Sequence, residues 1–448
     1  MKKIRFILIA FILFQMGYAQ QEPTSLSLQE AIDYALKNNR SSLNASQDIE
    51  AAKRQKWETT ASGLPQLSGS VNYQNNLKQQ VSVIPAEFFG GQPGEFTEVI
   101  FSTKQSMTAF ATLNQKIFDG SYIVGLQSAK VYLKISENAK VKTDLEVRQA
   151  VIEAYGNVLL AEESIAILER NISVLEKNLY ETNKIFENGL EEEESVEQLK
   201  ITLSSVKSNL NNTNRLKTLA YQMLNITLGL DVYKPIELTD NLEALTTQNM
   251  ALDILDSDVN PENTIDYLIA QNDAESKALL LKLEKSKALP TLNAFINGGY
   301  SGYSDEFTFN KKSQDWFGSS LFGVSLDIPI FSSGMRTAST QRAQINLEKA
   351  ETELTETEQR IKLEIASAKS DYQFAIEDYQ NKKENLALAE RIETKNQTKF
   401  FEGIGSSFEL RQAQTQLYAA QQELLQAMLD VVNSKADLET VLNTPIQN

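Results

Sequence analysis

Ile330-Phe331-Ser332-Ser333-Gly334 opens a stretch that runs from Met335 to Glu402, 68 residues, without a proline or a glycine. It breaks at Gly403-Ile404-Gly405, restarts at Ser406-Ser407-Phe408-Glu409 and stays helix-compatible to about Leu442. As one α-helix the first arm is about 100 Å long at ~1.5 Å per residue. Compact domains have no use for a helix of that length, whereas coiled coils, membrane spans and helical repeats do. The arm is too polar for a bilayer, so its apolar spacing decides. Leu347, Leu354 and Ile361 are seven apart. After a step of four, Ile365, Tyr372, Tyr379 and Leu386 are seven apart again. Heptads with a four-residue stutter relax the left-handed supercoil, and the packed helices run nearly straight.

The stretch occurs twice. Ile117-Phe118-Asp119-Gly120 matches Ile330-Phe331…Gly334, and a long helix pattern follows each. Phe186-Glu187-Asn188-Gly189-Leu190 matches Phe401-Glu402-Gly403-Ile404, and each leads into a return helix. Leu64-Pro65-Gln66-Leu67 matches Leu289-Pro290-Thr291-Leu292, and Ile32-Asp33-Tyr34 matches Ile265-Asp266-Tyr267. The order is the same in both halves: helix, Leu-Pro, strand, loop, strand, long helix, glycine turn, return helix. Ordered matches of this kind indicate an internal duplication. The expected organisation is a first repeat over 27–230, an acidic irregular linker over 231–260, a second repeat over 261–443 and a tail at 444–448.

Basic residues at Lys2, Lys3 and Arg5, the apolar run 6–14 and small residues at Gly17 and Ala19 predict a secretory signal peptide over 1–19. A retained anchor is the competing reading, but the run is short for a span. Loss of those three cations takes the net charge from −16 to −19. Such acidity argues against a nucleic-acid partner. The chain has no Cys and no His. That rules out disulfides, zinc–histidine sites and Ser-His-Asp triads. No cofactor site is expected.

Four segments alternate with period two. Leu67, Gly69, Val71 and Tyr73 oppose Ser68, Ser70, Asn72 and Gln74. Residues 106–118 form a weaker strand with Met107, Ala109, Ala111, Leu113 and Ile117 on one face. Leu292, Ala294, Ile296 and Tyr300 mark a third strand, and Phe322, Val324, Leu326, Ile328 and Ile330 a fourth. About ten residues is what a tilted transmembrane strand needs. Residues 75–105 and 302–317 read as loops. Tyr73, Tyr300, Tyr303, Trp316 and Phe317 fall near strand ends, where interfacial aromatics of a barrel belong. A four-stranded ribbon is about 19 Å wide at ~4.8 Å per strand and cannot close on itself. An open edge in lipid is not tolerated, so several copies must pool strands. Three copies give twelve strands and a matching helical tube. The expected fold is therefore an α+β membrane protein: long coiled-coil hairpins and four amphipathic strands per chain, pooled among several copies, with twelve strands if the assembly is a homotrimer.

With these residues in view, the chain resembles the TolC-like outer-membrane efflux proteins. The likeness rests on Leu26–Asn39, both Leu-Pro strand entries, Ile330-Phe331…Gly334, and Gly403…Phe408-Glu409-Leu410…Gln412-Ala413-Gln414-Thr415-Gln416-Leu417. It covers nearly all of the chain beyond the signal. The resemblance implies a trimeric twelve-stranded β-barrel in the outer membrane and a periplasmic α-helical tunnel. It also implies docking onto a periplasmic adaptor, driven by an inner-membrane pump. Family members often carry two acids three residues apart past the second tip glycine, as a pore constriction. The first falls on Glu409; the second falls on Gln412, which is neutral. The adaptor-docking tips correspond to Gly189, Leu190, Glu191, Gly403, Ile404 and Gly405.

Two readings stay open at the tips. Ser406-Ser407-Phe408-Glu409 is also a capping box, so Glu409 either rings a pore or caps a helix. Glu191–Glu194 either meets a partner or complements a helix dipole, and Ser195-Val196-Glu197-Gln198 reads as a further box. The leading function is a passive exit duct of an efflux or secretion system. The alternative is a periplasmic adaptor or scaffold of hairpins without a barrel. An enzyme is not expected: no nucleotide-binding loop or paired-acid cleft is present.

Overall fold

The structure is a computed structural model that describes residues 25–256 and 260–443. The expected signal segment and the tail lie outside the described residues. The chain divides into two compact units, Met1–Asp48 with Glu137–Ile269 and Thr355–Asn448, and Ile49–Ser136 with Ala270–Leu354.

The second unit holds the sheet. β2 (Gln66–Asn75), β5 (Gln105–Phe118), β7 (Thr291–Ser304) and β8 (Trp316–Asp327) are antiparallel in the order β2-β5-β7-β8. Each repeat supplies one adjacent pair, as the duplication requires. Residues opposite one another share a face. Leu67 pairs with Leu113, Leu113 with Ile296, and Ile296 with Phe322, so the expected apolar sets form one surface. Thr112 and Asn297 lie on the other, joined by a 2.7 Å hydrogen bond from Asn297 Nδ2 to Thr112 Oγ1. A bulge between Lys116 and Phe118 puts Phe118, not Ile117, opposite Leu292. The extra residue shifts the register locally, which alternation alone does not reveal.

The loop expected over 75–105 carries a hairpin of its own: β3 (Ser82–Pro85) pairs with β4 (Phe96–Val99), closed by a short 3-10 turn at Ala86–Phe89. Below the sheet, Val124 and Val131 near the start of α3 (Gly120–Glu187) pack on Leu279 of α6 (Ile265–Ser286).

The first unit holds the main core. α1 (Leu28–Asn38) starts in a capping box, with Ser27 accepting from Glu30 N and Glu30 accepting from Ser27 N. The helical stretch ahead of Leu64-Pro65 is not continuous: it is broken at Asn39, and α2 (Arg40–Ala61) follows. Asn39 Oδ1 accepts from Ser41 N, 2.8 Å, and Nδ2 donates to Thr227 O, 2.7 Å. The amide thus begins a new helix and ties it to the end of α4 (Glu193–Leu228). The return helix of repeat two is α8 (Ser407–Val441), and its long arm is α7 (Met335–Phe401).

The heptad rows are the core. Val151, Ile152, Val158 and Leu159 of α3 and Tyr372, Ile376 and Tyr379 of α7 are buried with Leu424, Val431 and Leu438 of α8. Each such side chain contributes about 1.5–3 kcal/mol on burial. Over 231–256 the linker is more ordered than its composition suggests. β6 (Glu237–Leu238) pairs in parallel with β1 (Ser25–Leu26), and α5 (Leu242–Gln248) follows, capped by Asn241. Two core tyrosines hold it. The Tyr155 hydroxyl lies 3.0 Å from both Leu26 O and Asp240 Oδ2. The Tyr372 hydroxyl lies 2.5 Å from Asn249 O and 3.0 Å from Ala251 O. Among the described residues no helix is long and apolar enough to cross a membrane.

Candidate functional site: two helical tips and one amphipathic sheet

At the first tip, α3 ends because Gly189 takes φ +75°, a conformation glycine adopts without steric cost. Gly189 N donates to Phe186 O at 2.8 Å and Leu190 N to Ile185 O at 3.1 Å, satisfying the last carbonyls. Leu190 is left 79% exposed. The box expected at Ser195 does not form. Glu192 is extended, α4 begins at Glu193, and Ser195 is buried in its first turn, its hydroxyl donating to Glu191 Oε1 at 2.7 Å. The glycine turn lets the helix start earlier than the box pattern indicates.

At the second tip, Gly403 has φ +74°, and Ile404 N and Gly405 N both donate to Lys399 O at 3.0 Å. Ile404 is exposed. Here the box does form: Glu409 N donates to Ser406 Oγ and Ser406 N to Glu409 Oε2, both 3.2 Å. Glu409 is therefore engaged as a helix cap while its side chain stays solvent-exposed, and Gln412 is likewise exposed, one turn on. A cleft lined by Ser195, Leu199, Thr202, Phe400, Leu410 and Arg411 brings the two tips together. Arg411 also lies over the Phe408 ring, 5.4 Å from its centroid.

Above the tips the seam turns polar. Asn171 Nδ2 donates to Gln421 Oε1 at 2.8 Å, and Gln397 Nε2 to Asn178 Oδ1 at 3.1 Å. Glu393 is buried there beside Gln414 and Tyr418. Burial raises the Glu393 carboxyl pKa above its ordinary range, opposed in part by the Gln414 hydrogen bond. Burial likewise raises the Tyr418 phenol, with the Glu393 charge adding to it. The apolar row Tyr372, Tyr379, Leu386 continues at the same spacing through Glu393 to Phe400. Extending that row by one heptad exposes this carboxylate in the sequence.

On the sheet, the register sorts the five aromatics. Tyr73 pairs with Met107, Tyr300 with Ala109, and Gly302 with Trp316, which puts Tyr73, Tyr300 and Trp316 on the apolar face. Phe317 pairs with Ser301, and Tyr303 follows two residues on, so Tyr303 and Phe317 share the polar face, with ring centroids 6.2 Å apart. Two aromatics of the second loop join the apolar set. Phe307 and Phe309 stand 5.7 and 6.0 Å from Tyr73, and Phe309 is 6.1 Å from Trp316. Neither is marked by the strand alternation, because loop residues have no period to follow. The phenylalanines' spacing two apart, next to Trp316, was the available signal.

The sequence matches the family described as outer membrane efflux protein over residues 31–230 and 271–444. The chain belongs to that family. Both matched segments end beyond a return helix, so the family unit coincides with the duplication. As an outer membrane efflux protein it sits in the cell outer membrane, extends into the periplasm, and serves as a passive channel for export. Solved structures share the fold. CusC, studied for the conformational changes accompanying folding and transmembrane channel formation, is 21% identical with a TM-score of 0.74, covering 93% of this chain and 91% of its own. VceC of Vibrio cholerae is 17% identical (TM-score 0.71; 93% and 96% covered). The CmeC channel of Campylobacter jejuni is 18% identical (TM-score 0.72; 93% and 85% covered). No curated protein matches the sequence.

Proposed function

We propose that three copies of this outer membrane efflux protein pool their sheets into a twelve-stranded barrel and their helices into a periplasmic tunnel. One observation carries the reading. The four-stranded sheet ends in β2 and β8, and neither has a further neighbour among the described residues. Unpaired strand edges are not stable in lipid, and closing the sheet with other copies removes them. The apolar face, with Leu67, Val71, Phe322 and Val324 all more than half exposed, then meets lipid. Tyr73, Tyr300 and Trp316 anchor it at the outer membrane interface, and Tyr303 and Phe317 turn to the lumen. A second observation supports the helical half. Leu216, Leu219, Met223 and Ile226 form an exposed apolar stripe on α4, at helical spacing, suited to a helix of the next copy.

The tips at Gly189, Leu190, Glu191 and at Gly403, Ile404, Gly405 dock a periplasmic adaptor, which couples the duct to an inner-membrane pump. Glu409 lines the pore constriction with neutral Gln412 one turn above it. The test is the protein mass after extraction of outer membranes in mild detergent, with bound detergent subtracted. Three chains are expected. A single chain in the soluble periplasmic fraction would overturn the reading and favour a hairpin scaffold.

A further inference from the structure

The first loop is too well built, and too apolar on its outside, to be a mere connection. Its hairpin is preformed: Val83 stands opposite Glu98 and Pro85 opposite Phe96. Ala86 is buried, and Ala86 N bonds Glu95 O at 2.9 Å across the turn. Yet Phe88, Phe89, Phe96 and Phe101 are 66–78% exposed. Residues 79–103 carry three acids, Glu87, Glu95 and Glu98, and no lysine or arginine. None of these acids has an ion-pair partner among the described residues. Between β7 and β8 the second loop carries two cations, Lys311 and Lys312, exposed and likewise without an ion-pair partner among the described residues, beside the acids Asp305, Glu306 and Asp315.

Topology brings the two loops together across copies. Asn75 pairs with Gln105, Gln105 with Ser304, and Gly302 with Trp316. The last residue of β2 and the first of β8 are therefore at the same end of the sheet. Both are edge strands, and the alternation of directions makes β2 of one copy antiparallel to β8 of the next. The hairpin leaves the sheet from β2. Within its own chain the second loop already meets β2, with Phe307 and Phe309 against Tyr73, and on the other side of β2 a neighbour's β8 lies one strand spacing away, about 5 Å. We propose that the 82–101 hairpin is an intersubunit clasp: its phenylalanines and acids seat on the Lys311-Lys312 loop of the adjacent copy. This rests on the pooled-strand reading given above.

The chain has no cysteine, so introduced thiols report without background. The double variant Phe96→Cys with Lys311→Cys, full length and in outer membranes, is oxidised with copper phenanthroline and run in denaturing gels without reductant. Most of the protein is expected to move from the one-chain band to two- and three-chain bands, while each single variant stays at one chain. A double variant that remains at one chain, or forms only an intrachain bridge, overturns the clasp. Occupation of the hairpin by a lipid headgroup or another surface protein would give that same result. The mass of the same extract in mild detergent separates the two ideas. Three chains without cross-links sink the clasp alone, and one chain sinks the strand pooling with it. As a second variant set, Glu95→Lys with Glu98→Lys lowers the cross-link yield in the double-cysteine background. Restoration by Lys312→Glu is expected if the charges meet, and its failure counts against the clasp.

Discussion

Glu393 shows how one residue alters a packed seam. Its neighbours in the seven-residue row are Leu386, partly buried, and Phe400, buried, and it is itself buried against Gln414. Removing a carboxylate from water without a cationic partner disfavours its charged form, hence the raised pKa. The sign follows from linkage. A carboxyl raised on folding costs nothing below its unfolded pKa, and its cost grows as pH rises through the folded value. Stability of the seam therefore falls from acidic toward neutral pH. Glu393→Gln keeps the shape and removes the charge. Its thermal midpoint at neutral pH is expected above that of the parent, and the difference should vanish near pH 4. A parallel pH dependence in both proteins would show that the charge is not carried by the seam. Other buried polar atoms nearby, Asn178 Nδ2 and Thr182 Oγ1, have no hydrogen-bond partner among the described residues. This end of the helical unit is thus held less tightly than the apolar end around Val151 and Val431.

Among the elements, the sheet is the one whose packing tolerates least change at defined points. Four cross-strand pairs set an aromatic ring against a glycine: Phe110 with Gly299, Phe295 with Gly323, Tyr300 with Gly318, and Trp316 with Gly302. The rings cover backbone that glycine leaves bare, an arrangement that also pins register. The pairs differ in what a methyl group would strike. At Gly299 a Cβ would stand 2.1 Å from Ala109 O, which is backbone of the neighbouring strand. At Gly318 its nearest neighbour is the Tyr300 ring at 3.2 Å. Gly299→Ala must therefore push β5 and β7 apart, and overpacking of this kind costs about 1–3 kcal/mol or more. Gly318→Ala asks only for a small ring adjustment. Heat-resistant assembly in outer membranes should be lost or sharply reduced for the first and retained for the second. Equal behaviour of the two would mean that the sheet yields at Gly299. The helices were legible for a different reason: their rows of Val151, Val158 and Ile165 repeat within one chain segment. The strands were legible as strands, but the facing of Tyr303 and Phe317 was not, since it needs the pairing of two strands.

For the whole molecule, the question is what Glu409 does in the proposed trimer. The capping box uses its carboxylate locally, and a ring of such groups would still favour cations electrostatically. Glutamine serves in the same box. Glu409→Gln thus removes the charge while leaving the cap, with stability within about 0.5 kcal/mol of the parent, as for a surface substitution. In planar bilayers, cation selectivity should fall for this variant. Unchanged selectivity and conductance would leave Glu409 a cap and nothing more. The sequence by itself determined the duplication, the long helices, the four strands, the glycine tips and the family. The structural features follow from period, spacing and turn residues, which act over a few neighbouring positions, and the family from the motifs that resemble it. Only the tertiary structure decided the rest: the bulge beside Ile117, the hairpin in the first loop, the burial of Glu393, and the ordering of 231–256 by Tyr155 and Tyr372. Each of those depends on which distant segment lies alongside. That choice is made by the balance of burial and hydrogen bonding across the packed chain, and no local pattern records it.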